Sequence, residues 1–136
     1  KTVLKLKQRK LFLFHTVFIW VMYFVSSYIC FFALPETSHL GLKEGLFILV
    51  LGGLGMSAPV QGGIGAYHYI VQKGMVFLGV TLLTDPVSGE ITSPKGLEYA
   101  FIVHSSQVLF MVVLGSLSII MLNVEKRKML KANEQA

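Results

Sequence analysis

Long apolar blocks separated by short polar segments set the pattern of this chain. Leu11 to Leu34 runs 24 residues without an Asp, Glu, Lys or Arg. As a helix rising about 1.5 Å per residue it extends roughly 36 Å, enough to cross a bilayer core with some tilt. Leu97 to Leu122 is a second block of this kind, with Glu98 its single charge, at the margin. A cleaved signal peptide has a shorter apolar core and a small-residue cleavage site. The first block is too long for that and the second lies near the C-terminus, so both are predicted to be complete spans.

Two shorter apolar stretches lie between them, Leu46 to Pro59 and Ala66 to Leu83. The first falls short of the roughly 20 residues a crossing needs. Extending it back through Leu42 would draw Lys43 and Glu44 into the apolar layer. The linker Val60-Gln61-Gly62-Gly63-Ile64-Gly65 carries no charge and is unlike a solvated loop. Two arrangements fit. Two full spans could meet at a tight turn, or two half-helices could form a re-entrant hairpin with its Gly-rich tip at membrane depth, where irregular backbone is tolerated if buried in protein or lining a cavity. The short first arm and the absence of basic residues at the tip favour the hairpin. Thr84 to Gly96, with Asp85, Pro86, Gly89, Glu90 and Pro94, reads as a loop outside the membrane. The predicted fold is therefore all-α, a polytopic transmembrane bundle with two full spans and a re-entrant helix pair broken at a Pro/Gly motif.

Composition agrees with this class. Charged residues are 14% of the chain, against about a quarter in soluble domains, and mean hydropathy is +0.67. The 12 Lys and Arg are placed unevenly: Lys1, Lys5, Lys7, Arg9 and Lys10 precede the first span, and Lys126, Arg127, Lys128 and Lys131 follow the last. Basic flanks are retained on the cytoplasmic side, so both termini (1–10 and 123–136) are predicted to be cytoplasmic. The net charge of +5 is accounted for by these flanks without a nucleic-acid partner. Cys30 is the only cysteine, which excludes a disulfide within the chain. The chain opens at Lys1 rather than Met, and is expected to be the C-terminal portion of a longer transmembrane domain.

Candidate chemistry gathers around Pro59-Val60-Gln61-Gly62-Gly63-Ile64-Gly65-Ala66-Tyr67-His68. Pro59 lacks a backbone donor and is expected to end the first arm. Gly62, Gly63 and Gly65 permit positive φ and close approach of another group. The following helix would then aim its positive end into that space, a setting suited to a phosphate, and broken helices aimed at a mid-membrane site are how many transporters hold substrate. Close helix packing explains glycines equally well, and is the expected role of Gly52, Gly53 and Gly55. Beyond the motif, His68, Gln72, Met75 and Gly79 form one stripe. Ala100, His104, Gln107, Met111, Gly115 and Ser118 form another on the last span. Such stripes are expected to face a bundle or cavity. His68 and His104 are candidates for phosphate contact or proton relay, with a neutral interhelical hydrogen bond as the alternative. Lys73 faces away from His68 and is expected to snorkel or to pair with an acid on a helix missing from this chain. No zinc-protease spacing, nucleotide loop or rhomboid-type serine setting is present; no catalytic residue, metal ligand or cofactor is expected.

The glycine motif, followed by His104-Ser105-Ser106-Gln107, resembles the lysylphosphatidylglycerol synthase transmembrane-region family, also described as flippase-like. The resemblance covers Leu11 to about Lys128 and implies a multi-pass protein of the bacterial inner membrane that moves phospholipid. It also implies that aminoacyl transfer resides in a separate domain, which this chain does not contain. Many relatives carry a Glu shortly after the last glycine, where this chain offers His68, and that departure weakens a cationic lysyl-lipid as the cargo. The expected activity is lipid transport, with Gly62, Gly63, Gly65, His68, Gln72, His104 and Gln107 contacting substrate, an anionic phospholipid headgroup as the candidate ligand, and no enzyme activity. The alternative is a non-transporting membrane subunit that assembles with or regulates a lipid- or envelope-synthesis enzyme. Either form is compatible with a homo-oligomer.

Overall fold

A computed structural model describes residues 8–134. Lys1, Lys5 and Lys7 of the N-terminal basic flank, and positions 135–136 of the C-terminal one, lie outside the described residues. Of the described residues, 74% are helical. Helix α1 spans Arg9–Ile29 and continues into a 3-10 turn at Cys30–Ala33; α2 spans Leu42–Met56, α3 Ala66–Phe77 and α4 Pro94–Glu134. Two short strands, β1 (Leu83–Thr84) and β2 (Ile91–Thr92), pair antiparallel between α3 and α4. The chain divides into two units, one up to Val103 and one from His104.

Among the described residues, two helices are long and apolar enough to cross a membrane, Arg9–Ala33 and Pro94–Arg127. Their apolar side chains are largely exposed: Phe14 is 64% and Val17 62% accessible on the first, Met111 67% and Leu122 66% on the second. A core helix of a water-soluble domain would bury such residues.

Within the first unit, α2 and α3 lie against each other through small residues. A Cβ at Gly55 would stand 2.7 Å from the Tyr67 Cα, and one at Gly52 2.8 Å from the Tyr67 ring. Gly74 offers the same close approach to Ile48 and Leu51 from α3. Gly53 departs from the expected packing role, because nothing lies within 4 Å of its would-be Cβ. The remaining core comes from α1 and the start of α4. Phe31 stacks on Tyr99 with ring centroids 5.0 Å apart, and Ile48, Val71, Met75 and Val103 complete the buried cluster. Tyr99 Oη donates to the Ser27 carbonyl (2.9 Å). Its one proton is then committed, so the 2.7 Å contact with Ser27 Oγ has the serine as donor. This buried pair ties α1 to α4 at a point where an unpaired hydroxyl would be costly.

The ends of the elements differ from those expected. Helix α2 starts at Leu42, not Leu46, because Glu44 turns back to accept the Gly41 N–H at 2.9 Å and caps the first turn. It stops at Met56, three residues before Pro59, with Ser57 as its C-cap; Ser57 Oγ also bonds the Leu54 carbonyl. Helix α3 ends at Phe77 rather than running on to Leu83. Gly79 (φ 75°) donates to the Val76 carbonyl and Val80 to the Met75 carbonyl, each at 3.0 Å. This is the Schellman arrangement, sealed by apolar contact of its two ends, and Val80 and Met75 are both buried. Gly79 thus serves as a helix stop, not as part of a stripe. The segment expected as a loop holds the β1–β2 hairpin, closed by Asp85. Its carboxylate accepts from the Ser88 and Val87 N–H groups, which hold it below the usual Asp range. Helix α4 then begins early, at Pro94, because Ser93 Oγ accepts the Gly96 N–H (3.0 Å) as a buried N-cap and Pro takes the first helical position.

Candidate functional site

The break between α2 and α3 is built by backbone conformation. Gly62, Gly63 and Gly65 have φ of 65°, 68° and 86°, values a side chain would strain. A 3-10 turn at Gln61–Gly63 follows extended Val60, and Gly63 N–H closes it on the Val60 carbonyl. The three glycines do not share one environment. Gly63 is buried, and a Cβ there would run into Met56 Sδ, so it belongs to the packing of the break. Gly62 and Gly65 are exposed: a Cβ added at the former would have only Ile64 Cγ1 near it, at 3.9 Å, and one added at the latter would meet nothing within 4 Å. The surface around them is apolar, with Ile64 69% and Val60 46% accessible. The tip therefore presents bare backbone, the end of α3 and greasy side chains, but no charged group.

His68 has a local task that the sequence did not suggest. It is the third residue of α3, and its Nδ1 accepts the Gly65 N–H at 3.3 Å, so the ring folds back over the helix start. That nitrogen acts as an acceptor and carries no proton in this arrangement. The ring is 6% exposed, lies edge-on to Tyr67 and has its centroid 4.2 Å from that of Phe101 on α4. Gln72, one turn further on the same face, is half-buried and donates to the Ser93 carbonyl at 3.3 Å. Ser93 Oγ in turn donates to the Val80 carbonyl. The polar stripe of α3 is thus turned inward, onto the start of α4, and joins the helix-capping groups at the hairpin end. Gly62, Gly63, Gly65, His68 and Gln72 all lie in the first unit.

His104 and Gln107 lie in the second unit, and both are half-buried. Ala100 is fully buried, but Met111, Gly115 and Ser118 are exposed, and Ser118 bonds the Leu114 carbonyl of its own helix. Of the expected stripe, Ala100, His104 and Gln107 are buried or half-buried, and Met111, Gly115 and Ser118 are not. Lys73 corrects another expectation. Its acid is not on a separate helix but on the hairpin, where Nζ contacts Glu90 Oε1 at 2.5 Å and donates to the Ile91 carbonyl at 3.0 Å. Pairing across the loop satisfies the lysine locally. Its spacing from Tyr69 and Phe77, four residues to either side, was the available signal that Lys73 heads an aromatic face. Among the described residues, no group of three His, Cys, Asp or Glu is placed to hold a metal.

No protein-family model, curated protein or solved structure matches this chain.

Proposed function

We propose that the chain is a multi-pass membrane protein with cytoplasmic termini, and that it moves phospholipid in the manner of the flippase-like family it resembles. The carrying observation is the break itself. Two exposed glycines at positive φ stand before a helix N-terminus. The tip they form carries no charge: beside them lie the apolar side chains of Val60 and Ile64 and the neutral amide of Gln61. In a bilayer it gives a phosphate the positive end of a helix without a competing charge. Membrane insertion is supported by the exposed apolar side chains that run along Arg9–Ala33 and Pro94–Arg127. On this reading α2 and α3 are the arms of a re-entrant pair. Gly62 and Gly65 form the approach, and His68 and Gln72 hold the arm in place.

The test is phospholipid movement in liposomes carrying the full-length protein, followed with a fluorescent headgroup. Gly62→Asn keeps a residue that tolerates the left-handed region while placing a side chain in the approach. It is expected to slow movement about tenfold, the effect of losing a contact of ~1.4 kcal/mol. An unchanged rate would remove the assigned approach, and no movement above protein-free liposomes would remove the transport function.

The second reading, a non-transporting subunit of a lipid- or envelope-synthesis enzyme, is favoured by the capping role of His68 and the packing of Gly52, Gly55 and Gly63. It predicts a stable co-purifying enzyme and phospholipid movement no faster than in protein-free liposomes.

A further inference from the structure

Away from the glycine break, α2 and α3 enclose an open groove of about 270 Å³. Phe47 and Leu51 of α2 form one wall, and Ile70 and Phe77 of α3 the other. Gly74 also lines it, at a point where the two helices touch: a Cβ there would stand 2.5 Å from Leu51 Cδ1 and 2.9 Å from Ile48 Cδ1. The only charge on the lining is Lys73, whose Nζ sits 5.5 Å from the Tyr69 ring centroid. Beyond it stands Glu90 on the hairpin, about half exposed. An ammonium has three donors. Glu90 and the Ile91 carbonyl take two, which leaves one directed donor on a lysine whose side chain is 31% exposed.

The groove thus has an apolar trough and, beside it, a positive and a negative group paired at Lys73 and Glu90. A membrane phospholipid with a zwitterionic headgroup carries the complementary set: an acyl chain, a phosphate and an ammonium. An anionic lipid would match Lys73 but meet Glu90 as a like charge, and a neutral glyceride would leave both charges unused. We propose that this groove holds one acyl chain of a zwitterionic phospholipid, with its phosphate on Lys73 and its ammonium on Glu90. The inference rests on the membrane reading above but not on transport. It assigns a resident lipid to the outer face of the α2–α3 pair, distinct from the glycine break.

The full chain in phosphatidylcholine vesicles would receive a trace of phosphatidylethanolamine, phosphatidylglycerol or diacylglycerol, each with the same diazirine-bearing acyl chain. Photolysis and peptide mass spectrometry then locate the adducts. Phosphatidylethanolamine is expected to label the segments around Phe47, Ile70 and Phe77 about threefold more than either other probe, the scale of one partly exposed charge contact. Glu90→Gln is expected to shift the preference toward phosphatidylglycerol, Lys73→Gln to abolish preference among the three, and Lys73→Arg to retain it. Ile70→Trp fills the trough and is expected to lower labelling there at least about threefold. Phe47→Ala, which widens the trough, serves if that variant misfolds by circular dichroism, and its labelling should rise. Equal labelling by all three probes, or adducts no denser here than along α1, overturns the proposal. Phospholipid movement measured on the same vesicles separates the two readings. A labelled groove without movement removes transport and leaves the lipid site; movement with no groove labelling does the reverse.

Discussion

Gly55 and Gly65 sit on opposite arms of the same helical pair, and a methyl group added to each would meet different surroundings. At Gly55 it would stand 2.7 Å from the Tyr67 Cα, 3.2 Å from the Ala66 carbonyl oxygen and 3.2 Å from the Tyr67 nitrogen, all backbone atoms of the partner arm. At Gly65 it would meet nothing within 4 Å. Gly65 is there for its φ of 86°, whereas Gly55 is helical and is there for its lack of bulk. The same residue type thus serves contact in the arms and conformation at the tip. A sequence shows both as glycine, and only the neighbours tell them apart.

The largest effect should come from the contact class. Gly55→Ala forces backbone against backbone, where no rotamer change gives relief, and overpacking of this kind costs about 1–3 kcal/mol. The upper end is expected here, read as a lowered midpoint in denaturant titration of the purified protein followed by circular dichroism. A cost below about 0.5 kcal/mol, the usual scale of a harmless surface change, would mean the arms are not in contact as described, and the comparison would collapse.

Gly65→Ala should cost less, about 1–2 kcal/mol, because it meets strain but no neighbour. The distinguishing measurement is made at neighbouring Gly62, whose φ of 65° and ψ of 13° lie near the left-handed region that asparagine visits. Gly62→Asn should lose less stability than Gly62→Ala, while Gly55→Asn should recover nothing relative to Gly55→Ala. Equal losses for alanine and asparagine at both positions would erase the distinction between bulk and conformation.

These differences explain how far the sequence could be read. The two long apolar helices were legible, since uninterrupted apolar runs start at Leu11 and Leu97, and so was the break, since three glycines within four residues admit positive φ. Element ends were not. Glu44 looked like a charge that should stay outside a helix, yet it stabilises the helix by capping Gly41. Gly79 looked like a small residue on a stripe, yet it ends α3. His68 looked like a ligand because an intramembrane histidine often is one, and its position three residues after Gly65 was the overlooked capping signal. The Lys73–Glu90 pair and the Ser27–Tyr99 bond join residues 17 and 72 positions apart. Nothing local announces such partners, because they depend on which loop folds over which helix.

Thr81 extends the comparison to a site where the backbone takes positive φ without a glycine. Its φ is 40°, just past the Schellman stop, and a β-branched side chain is disfavoured there. Thr81→Gly is therefore expected to raise stability by about 1 kcal/mol, visible as a higher midpoint in the same titration. A loss instead of a gain would mean that the threonine side chain makes a contact worth more than the strain it bears.

The smallest effect, and the cleanest check on the contact class, lies two residues before Gly55. Gly53 shares the helix and the glycine-rich run, but a methyl group there would enter open space. Its φ is not positive, so no conformational need for glycine exists either. Alanine at this position only removes backbone freedom from the unfolded chain and should stabilise α2 by about 0.5–1 kcal/mol. The sign is what matters. If Gly53→Ala destabilises by as much as Gly55→Ala, the exposed side of α2 is itself a packing surface for another helix, and small residues there serve assembly. If it stabilises while Gly55→Ala destabilises, contact glycine and incidental glycine sit within one helical turn of each other, and glycine count alone says nothing about where this fold is tight.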